Sequence, residues 1–572
     1  MISRRQALIA GAGLGAGMFL GGPSTFGRES DGGPYADDLL VVNARVITLD
    51  PGRPSADALL IRHGRIVFVG TEQEARARGR SAAIFDAGGR AIVPGLIDGH
   101  THLEWFSESF SFHTQLPGEL KNLEEAFAIL RQAASKTPAG QWVIGRGNFG
   151  VAQQVAEKRL ASRQELDAIS TDHPIAFFSS VHQASLNTQA FKALGLWTEH
   201  DQLALKWTDG SARVGSVVHR DALGVPTGVA TEIYDLLLGQ PLFAFDKRRD
   251  AYGLHARQDF VPKGITTIVN MSGEPDHIRA DQEAQERGEL PLRVRMFHIV
   301  PLVDSLDRLI GHRVKRGAGN DMYRFAGVKV FVDGDGDDGT GREIADLKWS
   351  QQKLDQAICR CNRAGYPVVF HVVTKAGFDL ALNSIAEAER CAPRRVRHQI
   401  HHLGSLLANP GDRGRVKALG VTLGLTRADR GDQWPETIDY RGLLDEGIRT
   451  LCVSDSAGSF RHFSAFEGIA SLVAPAGEGG VLPEGRALSF DEALRMWTVT
   501  SAYANYEENH LGSIRAGKLG DLAVLSRDPR VLKGGALFDV KVDAVILGGR
   551  VVFDRSSGLV TATRRVWPRS MV

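Results

Sequence analysis

Two histidines, one residue apart, end an apolar run early in this chain. Residues 91–102 read Ala-Ile-Val-Pro-Gly-Leu-Ile-Asp-Gly-His-Thr-His, so His100 and His102 follow a segment with the composition of a buried strand. Alternate side chains of a β-strand lie on one face, and we therefore expect both imidazoles to point the same way. Two convergent imidazoles form half of a binding site for a first-row metal ion.

A lysine interrupts a later apolar run. In the segment 328–333 the valines at even positions suit a helix-facing side, which leaves Lys329, Phe331 and Asp333 facing the interior. A buried ammonium group is costly. We therefore expect Lys329 to be paired with its neighbour Asp333, deprotonated or chemically modified.

Other polar residues also end apolar runs. His371 lies inside a run of valine and phenylalanine, and Asp455 follows the run Thr-Leu-Cys-Val. Taken alone, His371 is compatible with a core histidine and Asp455 with a helix N-cap. Their shared position at strand ends, together with His100, His102 and Lys329, predicts one common site.

Another candidate strand, the sixth along the chain at residues 395–402, offers three further histidines. These are His398, His401 and His402, and strand parity alone does not choose among them. One of them is expected to join the site.

The elements that must position these residues alternate between apolar runs and stretches of helical composition. Near-continuous apolar runs indicate strands that are buried on both faces. Eight such units predict an α/β protein with a (β/α)8 TIM barrel over residues 91–505, whose active site lies at the C-terminal ends of the strands. The candidate strands are residues 91–100, 264–271, 292–300, 325–334, 366–373, 395–402, 420–426 and 450–456.

Two further regions are predicted around this barrel. Short alternating strands with turn glycines fill residues 38–90 and recur in 506–572, which indicates a small β-sandwich built from both termini. Residues 104–260 separate the first two barrel strands and are too long for a loop. We expect an inserted subdomain there, covering the barrel mouth.

The N-terminus has the character of an export signal. Ser3-Arg4-Arg5-Gln6-Ala7-Leu8 precedes a weakly apolar segment of about fifteen residues, too short for a membrane-spanning helix. Residues 1–30 resemble a twin-arginine signal, which implies the twin-arginine export machinery as a partner and a periplasmic or cell-envelope location. A chance arginine pair on a Sec signal or an anchor is the alternative.

Composition limits the classes of partner. The chain has 572 residues and a net charge of +1, so we expect a small-molecule substrate and neither a nucleic-acid nor an anionic-membrane partner. A homo-oligomer is compatible with the sequence. The four cysteines have no zinc-ribbon spacing and predict no disulfide framework, and Cys359 and Cys361 are expected to be buried fillers.

The chain resembles the amidohydrolase superfamily, most closely its amidohydrolase 3 branch, which includes N-substituted formamide deformylases and YtcJ-like proteins. The resemblance covers nearly everything after the export signal. The motifs that carry it are V-P-G-L-I-D-G-H-T-H (93–102), R-D-A-L-G-V-P-T-G-V (220–229), G-V-K-V-F-V-D-G (327–334), R-H-Q-I-H-H (397–402), S-D-S (454–456) and G-S-I-R-A-G-K-L-G-D-L-A-V-L (512–525).

The resemblance implies a role for each strand-end residue. His100 and His102 match the ligands of the more buried metal, and Lys329 matches a lysine that bridges two metals as a carbamate. His371 and His402 match the ligands of the second metal, His402 being preferred over His401 because the family pattern runs Arg-x-x-Ile-Glu-His. The implied metals are two Zn²⁺ ions, with Fe, Mn or Co as alternatives.

The implied activity is hydrolysis of a non-peptide C–N bond, an amide or an N-formyl group, by metal-activated hydroxide. Asp455 matches the catalytic residue, both metal ligand and proton shuttle. The same site also supports deaminase and lactone or ester hydrolase chemistry. An exported non-catalytic binding protein is the alternative from another class, and the ligands present at all six positions argue against it.

This chain departs from the family pattern at three places, which bear on the substrate more than on the metals. His401 replaces the usual Glu, an acidic Gly-rich segment follows Lys329, and Val372-Val373-Thr374 replaces the common Ile-Gly-Asp.

Substrate-side residues are predicted in the insertion and beside the first strand. His182 and Asn187 resemble the branch's H-x-x-x-x-N segment and are candidates for substrate contact, with helix capping as the other interpretation of Asn187. Trp105, Phe106 and Phe110 indicate either an apolar pocket or the core of the insertion.

Overall fold

The computed structural model of the protein describes residues 38–560, apart from positions 119, 148–150, 181–182, 197–216, 232–242, 274, 301–302, 335–346, 403–406, 408, 427–437, 457–462 and 484. The predicted export signal at 1–30 and the candidate residue His182 lie outside the described residues. None of the helices in the described part of the chain combines the length and the apolar character needed to cross a membrane.

Both ends of the described chain build one β-sandwich, as the alternating strands predict. A seven-stranded sheet joins N-terminal and C-terminal strands, in the order Leu559–Val560, Arg550–Asp554, Val542–Leu547, Leu522–Leu525, Ala91–Pro94, Arg45–Ile47 and Ser55–Ala56. A four-stranded sheet has the order Arg65–Gly70, Ala58–Arg62, Leu39–Val42 and Ala83–Asp86. Val41, Ile61, Val46 and Ile546 fill the core between them.

The boundary between sandwich and barrel lies at Gly95 rather than at residue 91. Ala91–Pro94 pairs with Leu522–Leu525 in the sandwich, whereas Leu96–Thr101 pairs with Ile265–Ser272 in the barrel. A Cβ at Gly95 would lie 2.2 Å from Oγ1 of Thr266, so only glycine fits at this crossing. The single apolar run 91–100 therefore serves two sheets.

The barrel has eight parallel strands in sequential order, which confirms the predicted fold class. They are Leu96–Thr101, Ile265–Ser272, Arg293–Ile299, Tyr323–Phe331, Val368–His371, Gln399–His401, Thr422–Thr426 and Thr450–Val453. The backbone N–H of Asp455 donates to the carbonyl of His100 at 3.0 Å, which links the eighth strand to the first.

The fourth strand shows the predicted alternation. Val328, Val330 and Val332 belong to the core between barrel and helices, whereas Phe331 packs with residues of the barrel interior such as Val269.

Helices cover the outside of the barrel, and several begin and end at recognisable caps. Ser350 caps the helix Gln351–Ala364, which ends at Gly365 in the left-handed conformation. The barrel helices are Leu103–Phe112, Phe245–His255, Pro275–Glu286, Val303–Gly311, Gln351–Ala364, Lys375–Cys391, Pro410–Leu419, Tyr440–Asp445, Ala465–Val473, Phe490–Met496 and Val499–Ala504. A helix in the sandwich, Glu72–Arg78, begins at a capping box on Thr71.

The insertion is smaller than residues 104–260. Its sheet contains, in chain order, Thr114–Gln115, Val143–Arg146, Ile175–Phe178, Gln183–Leu186, Val217–Arg220 and Pro226–Thr231. Its helices are Leu123–Ala134, Val151–Gln154, Arg163–Asp167 and Thr188–Ala193. The flanking helices belong to the barrel instead, because Phe106 and Tyr252 lie in the barrel core. The Tyr252 hydroxyl also donates to Glu108 at 2.7 Å and joins the two helices.

A disulfide joins two barrel helices, contrary to the sequence-based expectation. Cys359 bonds to Cys391, 32 residues further on, with their Cα atoms 6.1 Å apart. The bond connects the helices Gln351–Ala364 and Lys375–Cys391. Cys359 is therefore not a free filler, whereas Cys361 is a free, buried thiol as expected. Sequence spacing did not predict the pair because only the packing of the two helices brings it together.

Candidate metal centre

The first strand presents both of its histidines to one point inside the barrel mouth. His100 is wholly buried and His102 is 3% exposed. Their Nε2 atoms lie 3.2 Å apart. Nδ1 of His102 lies 3.0 Å from the carbonyl oxygen of Met271, and it donates a hydrogen bond to that oxygen when it carries the ring proton and Nε2 is left free. Strand parity thus brings the two imidazoles together, as the spacing predicts.

Asp455 faces this pair from the end of the eighth strand. Its Oδ1 lies 3.7 Å from Nε2 of His100 and 3.8 Å from Nε2 of His102. The residue has a φ of 50°, in the left-handed region that non-glycine residues seldom occupy. Such conformations concentrate at functional sites, where the surrounding structure holds them in place.

These three residues have the spacing of ligands around one cation. One ligand atom from each of His100, His102 and Asp455 lies within 4.8 Å of the other two. Two atoms bound to one Zn²⁺ at about 2.0–2.1 Å and at a tetrahedral angle lie about 3.3 Å apart. The observed separations of 3.2–3.8 Å fit this arrangement with little adjustment. Two imidazoles and one carboxylate are also a donor set that suits zinc.

Lys329 lies next to this triad. Its side chain is buried, and Nζ lies 3.4 Å from Nε2 of His100. Burial lowers the pKa of Lys329 to about 7, against an opposing effect of the Asp455 carboxylate. Asp333 instead accepts hydrogen bonds from the backbone N–H groups of Val373 and Thr374 and so anchors the start of the next helix. The geometry therefore favours a Lys329 that belongs to the site over a Lys329–Asp333 pair.

His371 and His402 form a second group of imidazoles, which adjoins His100. Their ring centroids lie 4.7 Å apart, and the ring of His402 lies 4.9 Å from that of His100. Nδ1 of His402 lies 3.9 Å from Oδ2 of Asp455. Oδ1 of Asp455 is thus the oxygen nearer to His100 and His102, and Oδ2 is the oxygen nearer to His402.

The structure separates the three candidate histidines, of which only His401 lies within the sixth strand, Gln399–His401. His398 points outward, where its Nε2 lies 2.7 Å from Oδ1 of Asn362. His401 is wholly buried inside the barrel. His402 reaches the mouth because its φ of 72° turns the chain after the strand.

Burial keeps the innermost imidazoles neutral. It lowers the pKa of His100 well below its usual value, and the positive charge of Lys329 adds to this effect. The same two causes lower the pKa of His401. A neutral imidazole has a free lone pair on one nitrogen, which is the form that binds a metal ion.

Two residues of the inner site were not singled out as members from the sequence. Asp98 accepts hydrogen bonds from the backbone of Ser454 at 3.0 Å and of His100 at 3.4 Å, and it thereby ties the first strand end to the eighth. His401 contacts His100 directly, with 2.7 Å between their Nδ1 atoms. The departure from the family pattern at position 401 was the signal for the latter.

The predicted substrate-side residues have other surroundings. Asn187 caps the helix Thr188–Ala193 by accepting from the N–H of Ala190, and it accepts from Ile175 as well. Its amide group donates to the carbonyls of Ser170 and His173. All four hydrogen-bonding positions of the side chain are occupied within the protein, which supports the helix-cap interpretation of Asn187 over a substrate contact.

The aromatic residues beside the first strand belong mainly to the barrel. Phe106 is wholly buried and packs against Phe260, at 5.2 Å between ring centroids, so it lies in the barrel core rather than in a pocket or in the insertion. Phe110 packs against Phe106. Trp105 stacks on the ring of His102 at 4.1 Å and helps to hold that imidazole in place.

A (β/α)8 barrel with histidines, a lysine and an aspartate at the C-terminal ends of its strands defines a metal-dependent hydrolase. The sequence profile described as the amidohydrolase family matches residues 83–553. The chain therefore belongs to the amidohydrolase family, in the predicted amidohydrolase 3 branch, and it is a hydrolase.

Comparisons with individual proteins agree with this membership. The chain is 26% identical to the N-substituted formamide deformylase of Arthrobacter pascens, over 91% of this chain and 99% of that protein. It is 25% identical to the putative amidohydrolase YtcJ of Bacillus subtilis, over 82% and 90% of the two chains. An uncharacterized metal-dependent hydrolase from Pyrococcus horikoshii OT3 has the same fold, with a TM-score of 0.65, 21% identity and coverage of 87% and 99%.

Proposed function

We propose that this protein hydrolyses an amide or N-formyl C–N bond of a small molecule. The convergence of His100, His102 and Asp455 beside the buried Lys329 carries the proposal. The similarity to a protein named N-substituted formamide deformylase, which extends over almost the whole length of both chains, supports this bond type. Divalent cations bound at the site, as two Zn²⁺ ions or as Fe, Mn or Co, would supply a water nucleophile at neutral pH and polarise the scissile carbonyl.

Each half of the site would hold one cation. His100 and His102 would hold the inner cation through Nε2, and His371 and His402 would hold the outer one through their imidazoles. Lys329 would bridge the two as a carbamate. Its lowered pKa supports this role, because only a neutral amine adds to carbon dioxide and a buried site disfavours an ammonium ion.

Asp455 would carry the proton during the reaction. Its Oδ1 faces His100 and His102, while its Oδ2 faces His402, so the carboxylate spans both halves of the site. With a side chain 24% exposed, it is also the accessible member of this group. In that position it can accept a proton from the attacking water and donate it to the departing nitrogen.

We further propose that the chain is exported through the twin-arginine pathway. The pair Arg4-Arg5 before a short, weakly apolar segment supports this route. The disulfide between Cys359 and Cys391 also fits an oxidising compartment such as the periplasm.

Metal analysis combined with a substrate screen tests the proposed activity. Purified protein would be assayed against amides, N-formyl compounds, lactones and amino-substituted heterocycles, with formate, ammonia and acid release as readouts. We expect bound divalent metal and turnover confined to the amides or N-formyl compounds. Replacing His100 and His102 by Ala should remove the metal and the turnover together. Full metal content in that double variant would contradict the assigned site, and turnover of only lactones or heterocyclic amines would contradict the proposed bond.

A further inference from the structure

A line of buried polar groups runs inward from the metal centre. Nδ1 of His100 lies 2.7 Å from Nδ1 of His401, and Nε2 of His401 lies 3.2 Å from Oε1 of Gln399. The amide of Gln399 donates to the carbonyl of Ala504 at 3.3 Å. His100, His401 and Gln399 are all wholly buried.

The far end of this line fixes where the protons lie. The carbonyl of Ala504 can only accept, so the NH₂ group of Gln399 must face it and Oε1 must face His401. Oε1 can only accept as well, so Nε2 of His401 carries a proton. When the ring is neutral, its Nδ1 is then an acceptor. The proton between the two rings therefore belongs to Nδ1 of His100.

This arrangement determines which nitrogen of His100 is available to a metal. With its proton on Nδ1, His100 presents an unprotonated Nε2 to His102 and Asp455, where the other ligand atoms converge. The reverse assignment would place a proton on Nε2 in the middle of the ligand set. Only the first tautomer is compatible with metal binding through Nε2.

The seventh strand provides the space for the His401 ring. A Cβ at Gly424 would lie 2.3 Å from Cδ2 and 2.4 Å from Nε2 of His401, closer than packed atoms approach. His401 is therefore held between Gly424, Gln399 and His100. This second observation indicates a built contact rather than a chance approach of two rings.

We propose that His401 is a positioning residue, oriented by Gln399, that fixes the tautomer of His100 and thereby increases the affinity of the site for its metal. The inference rests on the proposed metal-dependent function. It assigns a neutral imidazole to a position where the family pattern has a carboxylate, and both groups can accept the hydrogen bond from His100.

Two substitutions separate an acceptor role from a packing role. His401→Phe keeps a ring over Gly424 but removes the acceptor, whereas His401→Glu restores an acceptor. The dissociation constant for Zn²⁺ would be measured on the purified full-length protein by competition with a chromogenic chelator. We expect His401→Phe to weaken binding by about 10–100-fold and His401→Glu to stay within a few-fold of the wild type.

His398→Phe is the matched control. His398 is a buried histidine next to the same strand, but it contacts Asn362 outside the barrel, so its loss should leave zinc affinity unchanged. If His401→Phe does not fold, Gly424→Ala tests the same contact by displacing the ring without changing either histidine, and the same weakening is expected.

The possible outcomes distinguish the inference from the function on which it rests. Wild-type affinity in His401→Phe, or in Gly424→Ala where that variant replaces it, would overturn the positioning role. Equal losses in His401→Phe and His401→Glu would overturn it too, because the ring would then matter for packing alone. A wild-type protein that binds no divalent metal would overturn the proposed function first, and the inference with it.

Discussion

Nζ of Lys329 lies 3.4 Å from Nε2 of His100, and both side chains are wholly buried. A buried amine so close to a proposed metal ligand is better suited to a bridging carbamate than to a free ammonium ion. We expect Lys329→Ala to lose one of two bound metals and most activity, and acetate or propionate to restore part of both. Metal content per chain, with and without the added acid, is the measurement.

The control for this prediction is Lys417→Ala, which removes an exposed lysine from the last turn of the helix Pro410–Leu419. It should retain the metal content and the rate of the wild type. An unchanged metal content in Lys329→Ala would show that the lysine is not a bridge.

Replacing Asp455 tests the proton transfer. Asp455→Asn preserves the shape of the side chain but removes its capacity to take up a proton. Because this role acts mainly in the transition state, we expect kcat to fall by at least about a hundredfold with little change in substrate binding. Steady-state kinetics on a confirmed substrate, with metal content measured in parallel, checks this. If Asp455→Asn turned over the substrate at near the wild-type rate, Asp455 would not be the group that transfers the proton.

The apolar runs were sufficient to predict the barrel, because strands buried on both faces form near-continuous apolar runs. They did not reveal that the run 91–100 changes sheets at Gly95, since both of its halves are equally buried. Parity correctly placed Lys329 and Phe331 inside and the intervening valine outside.

Strand parity could not decide which histidine of the segment 395–402 enters the site, because that depends on the backbone conformation after the strand. His401 lies inside the barrel because of its position in the strand. His402 reaches the site only because its backbone adopts a left-handed conformation, which the sequence does not predict. The role of Asn187 depended in the same way on tertiary contacts, because Ser170 and His173 bind its amide from an earlier part of the chain.

His398 should make the protein less stable in acid. Burial lowers its pKa to about 3, from an ordinary value of 6.5. Between these values the unfolded chain binds a proton at this residue and the folded chain does not, so the free energy of unfolding decreases as the pH falls from 6.5 towards 3. The slope from one histidine is at most about 1.4 kcal/mol per pH unit.

His398→Leu removes this contribution, and its stability should depend less steeply on pH in the same range. Urea unfolding at several pH values between 7 and 4, in the presence of a chelator, compares the two proteins. Parallel pH dependences would mean that His398 is protonated alike in the folded and unfolded chains.

Export can be tested through the arginine pair and the disulfide together. The twin-arginine pathway recognises the two arginines themselves, so Arg4→Lys combined with Arg5→Lys should leave the protein in the cytoplasm although the charge is unchanged. The reducing cytoplasm should then keep all four cysteines as thiols, whereas the exported wild type should have only Cys361 and Cys452 free. Cell fractionation locates each protein, and alkylation of the denatured protein then counts its free thiols. Normal export of the double variant would instead indicate a Sec signal or a membrane anchor, and four free thiols in exported wild type would remove the disulfide as support for an oxidising compartment.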